Sequence, residues 1–167
     1  LRATGLDGEY TAFDVPGELL GDAVRGLAAL GFLGANVTLP HKVTVMPHLA
    51  SIDGAAVLVG AVNTLARTED GFMGFNTDVE GVVRTLEGAG CDLRDARVVV
   101  IGSGGAARAA AVGCAWHGAS RVDIVAREES AKSIFEALEG MGGIRHFAPP
   151  VLKDGDVVAF LPPVSGG

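Results

Sequence analysis

Residues 97–113 read RVVVIGSGGAARAAAVG, and this one stretch narrows the available folds more than any other. Val98–Ile101 is an unbroken apolar run, the pattern of a strand covered on both faces in a parallel sheet. Gly102, Gly104 and Ala107 follow in the spacing G-x-G-x-x-A and open an alanine-rich helix. The first glycine permits a tight strand-to-helix turn, and the second lets a pyrophosphate approach the backbone. The small third residue lets helix and strand pack closely, while the free N–H groups of the helix start face the anion. Strand, turn and helix in that order predict a dinucleotide-binding unit, with Gly102, Ser103, Gly104, Gly105 and Ala106 forming the cofactor loop.

The rest of the chain alternates in the same way, which predicts an α/β fold. Strands are expected at 9–15, 34–40, 61–68, 71–78, 97–102, 121–127 and 156–161, and helices at 19–30, 79–88, 105–117 and 129–142, with a helical turn over 43–49. Ser51 or Asp53 is a suitable cap for a short helix before Gly60. Val79, Val82, Val83 and Leu86 share one helical face. The polar, glycine-bearing segment 87–96 reads as a linker. It divides the chain into a lobe over residues 1–90 and a Rossmann-like lobe over 91–167.

Strand ends of the first lobe carry polar groups: Asn36 and Thr38, Lys42, Asn63 with Thr64, and Asn76 to Asp78. Each has an ordinary structural role open to it. Asn and Asp after a strand form turns or caps, and Asp78 is well placed to cap the helix that follows. Pro40 is read as ending the strand at 34–40 so that Lys42 projects into a cleft. Together these groups supply a proton donor, a carboxylate and amides suited to a polyol, the chemistry of carbonyl–alcohol interconversion by hydride transfer.

In order and spacing, GANVTLPHK (34–42), GAVNT (60–64), GFNTDVEG (74–81) and VVVIGSGGAARA (98–109) resemble the shikimate dehydrogenase family, and GLDGEYTAFDV (5–15) is similar to that family's second-strand region. The resemblance implies a substrate lobe followed by a Rossmann lobe, and NADPH-dependent reduction of 3-dehydroshikimate to shikimate in aromatic amino acid biosynthesis. It further implies Lys42 and Asp78 as the catalytic pair, with Asn36, Thr38 and Asn63 also at the substrate, and the loop 102–106 and Arg127 at the cofactor. Quinate-oxidising relatives share the framework, which leaves two alternatives: an NAD-linked quinate/shikimate dehydrogenase-like paralogue, or a catalytically silent relative that binds a nucleotide or metabolite. By the same resemblance, a serine-bearing substrate loop is expected before Leu1 and further helices after Gly167.

The sequence departs from the family at Val43, Glu128, Ala131 and the stretch AFLPPVSGG (159–167). Cofactor choice leans to NADP, with NAD as the alternative. Arg127, at the end of the second Rossmann strand, suits a 2′-phosphate, whereas Glu128 and Glu129 oppose one; Asp123 falls too early for a ribose carboxylate.

With 20 Asp and Glu against 13 scattered Lys and Arg, the net charge of −7 offers no basic stripe to nucleic acid. No apolar run reaches the roughly 18 residues of a membrane span. Cys91 and Cys114 lack metal-like spacing and read as reduced thiols, and no metal site is expected from the four histidines. These features predict a cytoplasmic protein, monomeric or homodimeric, acting on a small molecule.

Overall fold

The computed structural model describes Gly5, residues 7–126, and the backbone of 144–145 and 157–160. The helix expected at 129–142 and Arg127 lie outside the described residues. The first helix, α1 (Leu20–Ala29), is entered through a 3₁₀ turn at Gly17–Leu19, and Gly31 follows with φ 78°. Next come β1 (Gly34–Asn36), α2 (His41–Thr44), a 3₁₀ turn (Met46–His48), β2 (Ser51–Ile52) and α3 (Gly54–Val59). The hairpin β3 (Thr64–Thr68) and β4 (Gly71–Phe75) leads into α4 (Asp78–Gly88). The remaining described elements are β5 (Arg97–Ile101), α5 (Gly105–Trp116), β6 (Arg121–Val125), β7 (Ile144–Arg145) and β8 (Val157–Phe160).

Among the described residues two four-stranded sheets result. The first has the order β1-β3-β4-β2, antiparallel except for β2 beside β4. The second has the order β7-β6-β5-β8 and is parallel throughout. Strand β5, flanked by β6 and β8 and packed against α5, buries Val98, Val99 and Val100. Among the described residues no helix is long and apolar enough to cross a membrane.

Two apolar cores support the sheets. One collects Leu20, Val24, Val45, Ala56, Val62, Leu65 and Phe72 beneath the first sheet. The other joins Ala55, Val59, Val79 and Val83 of α3 and α4 to α5, β5 and β6. Helix α3 thus faces both cores, because its neighbouring residues Ala55 and Ala56 point in different directions. Asp53 starts α3 by accepting from Ala55 N–H at 2.9 Å, which resolves the choice between Ser51 and Asp53. Cys114 belongs to the second core, and burial pushes its thiol up to about 11. Cys91 is also a free thiol.

Close approach of α4 to α5 depends on Gly113. A Cβ there would lie 2.9 Å from Val83 Cγ2 and 3.1 Å from the Val79 carbonyl oxygen. Gly113→Ala is therefore expected to lower stability by about 1–3 kcal/mol, the usual cost of overpacking. Urea unfolding of the two proteins measures it, and an unchanged midpoint would mean that α4 moves aside freely.

Two expectations fail here. Residues 9–15 do not form a strand, for they join no ladder among the described residues. A period-two pattern alone does not make a strand, since the backbone must also find a neighbour. The segment is held instead by side chains. Tyr10 donates to Asn36 Oδ1 at 3.0 Å, Phe13 packs edge-on against Phe32, and His41 Nε2 donates to the Val15 carbonyl at 2.8 Å. The second failure concerns Pro40. Strand β1 ends earlier, at Asn36, and Pro40 precedes a helical turn, so Lys42 stands in α2 and not at a strand end.

Candidate active site

The site is built around the loop 60–63, between α3 and β3. Val62 N–H donates to the Lys42 carbonyl at 2.8 Å, Asn63 N–H to the Phe75 carbonyl at 2.9 Å, and Val37 N–H to the Asn63 carbonyl at 2.8 Å. The loop therefore fastens the backbones of the β1–α2 connection, of α2 and of the end of β4 to one another.

On this frame Lys42 Nζ donates to Asp78 Oδ2 at 3.1 Å. The other carboxylate oxygen, Oδ1, accepts from Asn63 Nδ2 at 2.9 Å. Because a carboxylate only accepts, this bond fixes which end of the Asn63 carboxamide is nitrogen. The opposite end, Oδ1, accepts from Thr77 N–H at 3.0 Å and from Thr64 Oγ1 at 2.9 Å, with Thr77 Oγ1 a third donor at 3.2 Å. Asn63 is 8% exposed and Asn76 6%, whereas the Lys42 and Asp78 side chains retain 29% and 40% of their exposure. The supporting amides are thus buried, and the ionic pair reaches solvent where a small molecule can meet it.

Asp78 is the first residue of α4, yet its carboxylate does not cap that helix. Asn76 Oδ1 accepts from Asp78 N–H at 3.0 Å, and Asn63 Oδ1 takes Thr77 N–H. With its own helix start served by two asparagines, Asp78 is free to face Lys42. The capping role open to Asp78 in the sequence has passed to its neighbours.

Asn36 ends β1 opposite Thr64 of β3, one residue from Asn63. Thr38 is exposed, and its carbonyl accepts from His41 N–H at 2.9 Å at the start of α2. Both lie on the rim of an apolar cavity of about 330 Å³ that is also lined by Phe13, Val24, Phe32 and Val45. Lys42, Asn63 and Asp78 are in direct contact. Asn36 is brought next to Asn63 by the β1–β3 pairing, whereas Thr38 lies beyond that ladder, at the start of α2. The sequence did not single out Tyr10 or the separate role of Asn76, because each acts through a partner distant in the chain.

The glycine turn stands where β5 meets α5. Gly102 has φ 133°, a conformation that favours glycine, and its N–H donates to the Val125 carbonyl at 2.9 Å. Gly104 is the cap residue of the 12-residue α5, and no side chain among the described residues caps that helix. Cβ atoms built on Gly104 or Gly105 would meet nothing within 4 Å. Uncapped amides with open space before them suit a phosphate. The two regions approach at Gly60, where an added Cβ would lie 3.5 Å from Arg108 Nη1, one turn into α5. Asp123, 4% exposed, is paired with Arg121 at 2.8 Å inside β6 and so is committed to the strand.

Comparison with known proteins agrees with these features. The model of the shikimate dehydrogenase substrate binding domain matches residues 1–65, and that of an FAD binding domain matches residues 97–159. The shikimate dehydrogenase (NADP(+)) of Moorella thermoacetica is 44% identical over 156 residues, covering 92% of this chain and 52% of that protein. Among solved structures, 5-ketofructose reductase of Gluconobacter superposes with a TM-score of 0.83 at 37% identity, over 93% of this chain and 58% of the other. Shikimate 5-dehydrogenase of Listeria monocytogenes, in complex with shikimate and NAD, gives a TM-score of 0.80 at 32% identity, over 87% and 53%. The chain spans about half the length of the curated relatives it matches.

Proposed function

Since the chain belongs, over the part it spans, to the shikimate dehydrogenase family, we propose that it serves NADP-linked interconversion of 3-dehydroshikimate and shikimate in the cytoplasm. The observation that carries this reading is the Lys42–Asp78 contact at 3.1 Å, with the second carboxylate oxygen occupied by Asn63. In this reading residues 1–90 form the substrate lobe and 91–167 the cofactor lobe.

NADPH, when bound, supplies the hydride. The protein's part is to deliver a proton and hold the substrate. The Lys42 ammonium gives its proton to the carbonyl oxygen as negative charge develops there, and returns the favour in the oxidative direction by accepting it. Asp78 orients the ammonium and balances its charge. Asn36, Thr38 and the remaining N–H of Asn63 hold hydroxyl groups. The residues present fit the dinucleotide, because the uncapped start of α5 offers amides to its pyrophosphate and Gly104 and Gly105 leave it room. Ser103 and Ala106 complete that loop, and Arg127, outside the described residues, would serve the 2′-phosphate.

A nicotinamide absorbance assay tests the reading on residues 1–167 and on the longest open reading frame that contains them, with NADP and NAD each paired with shikimate or quinate. Turnover is expected with shikimate and NADP in the longer reading frame, and little of it in residues 1–167 alone. Arg127→Ala should raise KM for NADP about 10-fold or more while leaving NAD unaffected, as loss of a charge-assisted hydrogen bond to phosphate costs about 1.5–3 kcal/mol. Equal use of both cofactors before and after the substitution would remove Arg127 from the site. The likeness to a 5-ketofructose reductase favours a second reading, reduction of a keto-sugar by the same pair. Turnover of 5-ketofructose in place of shikimate would select it.

A further inference from the structure

Asn76 joins β4 to α4 with only 6% of its surface exposed, and both ends of its carboxamide are used. Oδ1 accepts from Asp78 N–H at 3.0 Å, while Nδ2 donates to the Ala61 carbonyl at 3.0 Å. The first bond is an ordinary turn that starts a helix. The second is not required for that purpose, since it reaches fifteen residues back along the chain to the loop 60–63. That loop also holds the Lys42 backbone through Val62 and the Asp78 carboxylate through Asn63.

We propose that Asn76 is a positioning residue for the Lys42–Asp78 pair. Its carboxamide refers the Asp78 backbone to the same loop that refers Lys42, so that the ammonium and carboxylate keep one separation. Serine or aspartate at this position would start α4 equally well. Only a carboxamide both accepts from Asp78 and donates to Ala61, and burying one is costly unless both ends bond. For turnover the inference rests on the function proposed above; for geometry it does not.

Its test compares the parent, Asn76→Ala and Asn76→Ser. Serine keeps an oxygen for Asp78 N–H but is too short to reach Ala61. The first readout is a zero-length carbodiimide cross-link in residues 1–167, which joins an amine to a touching carboxylate as an amide and is identified by peptide mass. The partly exposed pair admits the reagent. The Lys42–Asp78 link is expected in the parent and should fall several-fold in both variants. The second readout is steady-state kinetics. In both variants kcat should fall roughly 10- to 10²-fold, the scale of a misplacement of about 1 Å, and KM should change far less.

If Asn76→Ser keeps the parental cross-link yield and kcat, Asn76 only caps α4 and the inference is overturned. Absence of the link in the parent overturns it too. Should Asn76→Ala fail to fold, Asn76→Ser carries the comparison. Absence of dehydrogenase activity in the longest open reading frame that contains residues 1–167 refutes the proposed function, and the cross-link yields still decide the role of Asn76.

Discussion

Lys42→Ala is expected to lower turnover of shikimate about 10²- to 10⁴-fold, the range for loss of a general acid–base group, with a much smaller loss of shikimate affinity. Two effects combine. The developing alkoxide loses its proton donor, and Asp78 Oδ2, no longer neutralised by the ammonium at 3.1 Å, presents a bare negative charge to it. Stability should hardly change, because a pair with side chains 29% and 40% exposed contributes at most about 1 kcal/mol. Activity and folding therefore separate in this variant, which distinguishes a chemical role from a structural one. Steady-state kinetics beside thermal unfolding provide the check. Parental turnover in Lys42→Ala would end the proposed role, and a collapse of the fold would show that Lys42 supports the structure more than its exposure suggests.

How far the sequence revealed this arrangement depends on the range of the interactions involved. Elements whose signal is local were legible. The apolar run of β5, the glycine turn and the Val79–Val83–Leu86 face of α4 needed only neighbouring residues to be read. The β-strand expected at 9–15 was misread because its pattern is local while its pairing is not. Pro40 was misread in a similar way, as the sequence does not reveal that the ladder with β3 stops at Asn36. Lys42, Asn63 and Asp78 were each visible as residues with chemistry to offer. Their mutual contacts were not visible, for the bonds span thirty-six and fifteen residues. Nor did composition show that Asn76 and Asn63 would take over the start of α4 and release Asp78. The Arg121–Asp123 pair was within reach, since residues two apart on a strand share a face.

Asp78→Asn should cost nearly as much turnover as Lys42→Ala, and the double variant should cost little more than the worse single one. The substitution preserves shape and leaves the Asn76 bond to the residue 78 N–H in place. It fails through hydrogen-bond direction. One end of the new carboxamide must accept from Asn63 Nδ2, which turns its NH₂ toward the Lys42 ammonium, donor against donor. Lys42 then swings away from the position that Asp78 held for it. Groups that act as a unit are strongly non-additive when removed together. If each single variant loses roughly 10²- to 10³-fold, independent action predicts a double loss of roughly 10⁴- to 10⁶-fold, while a unit predicts roughly 10²- to 10³-fold. Measuring kcat for the four proteins of this cycle separates the two by orders of magnitude. A multiplicative double loss would mean that Asp78 acts on the substrate by a route of its own, and the Lys42–Asp78 contact would then be a neighbourly ion pair and not the proton-delivering unit.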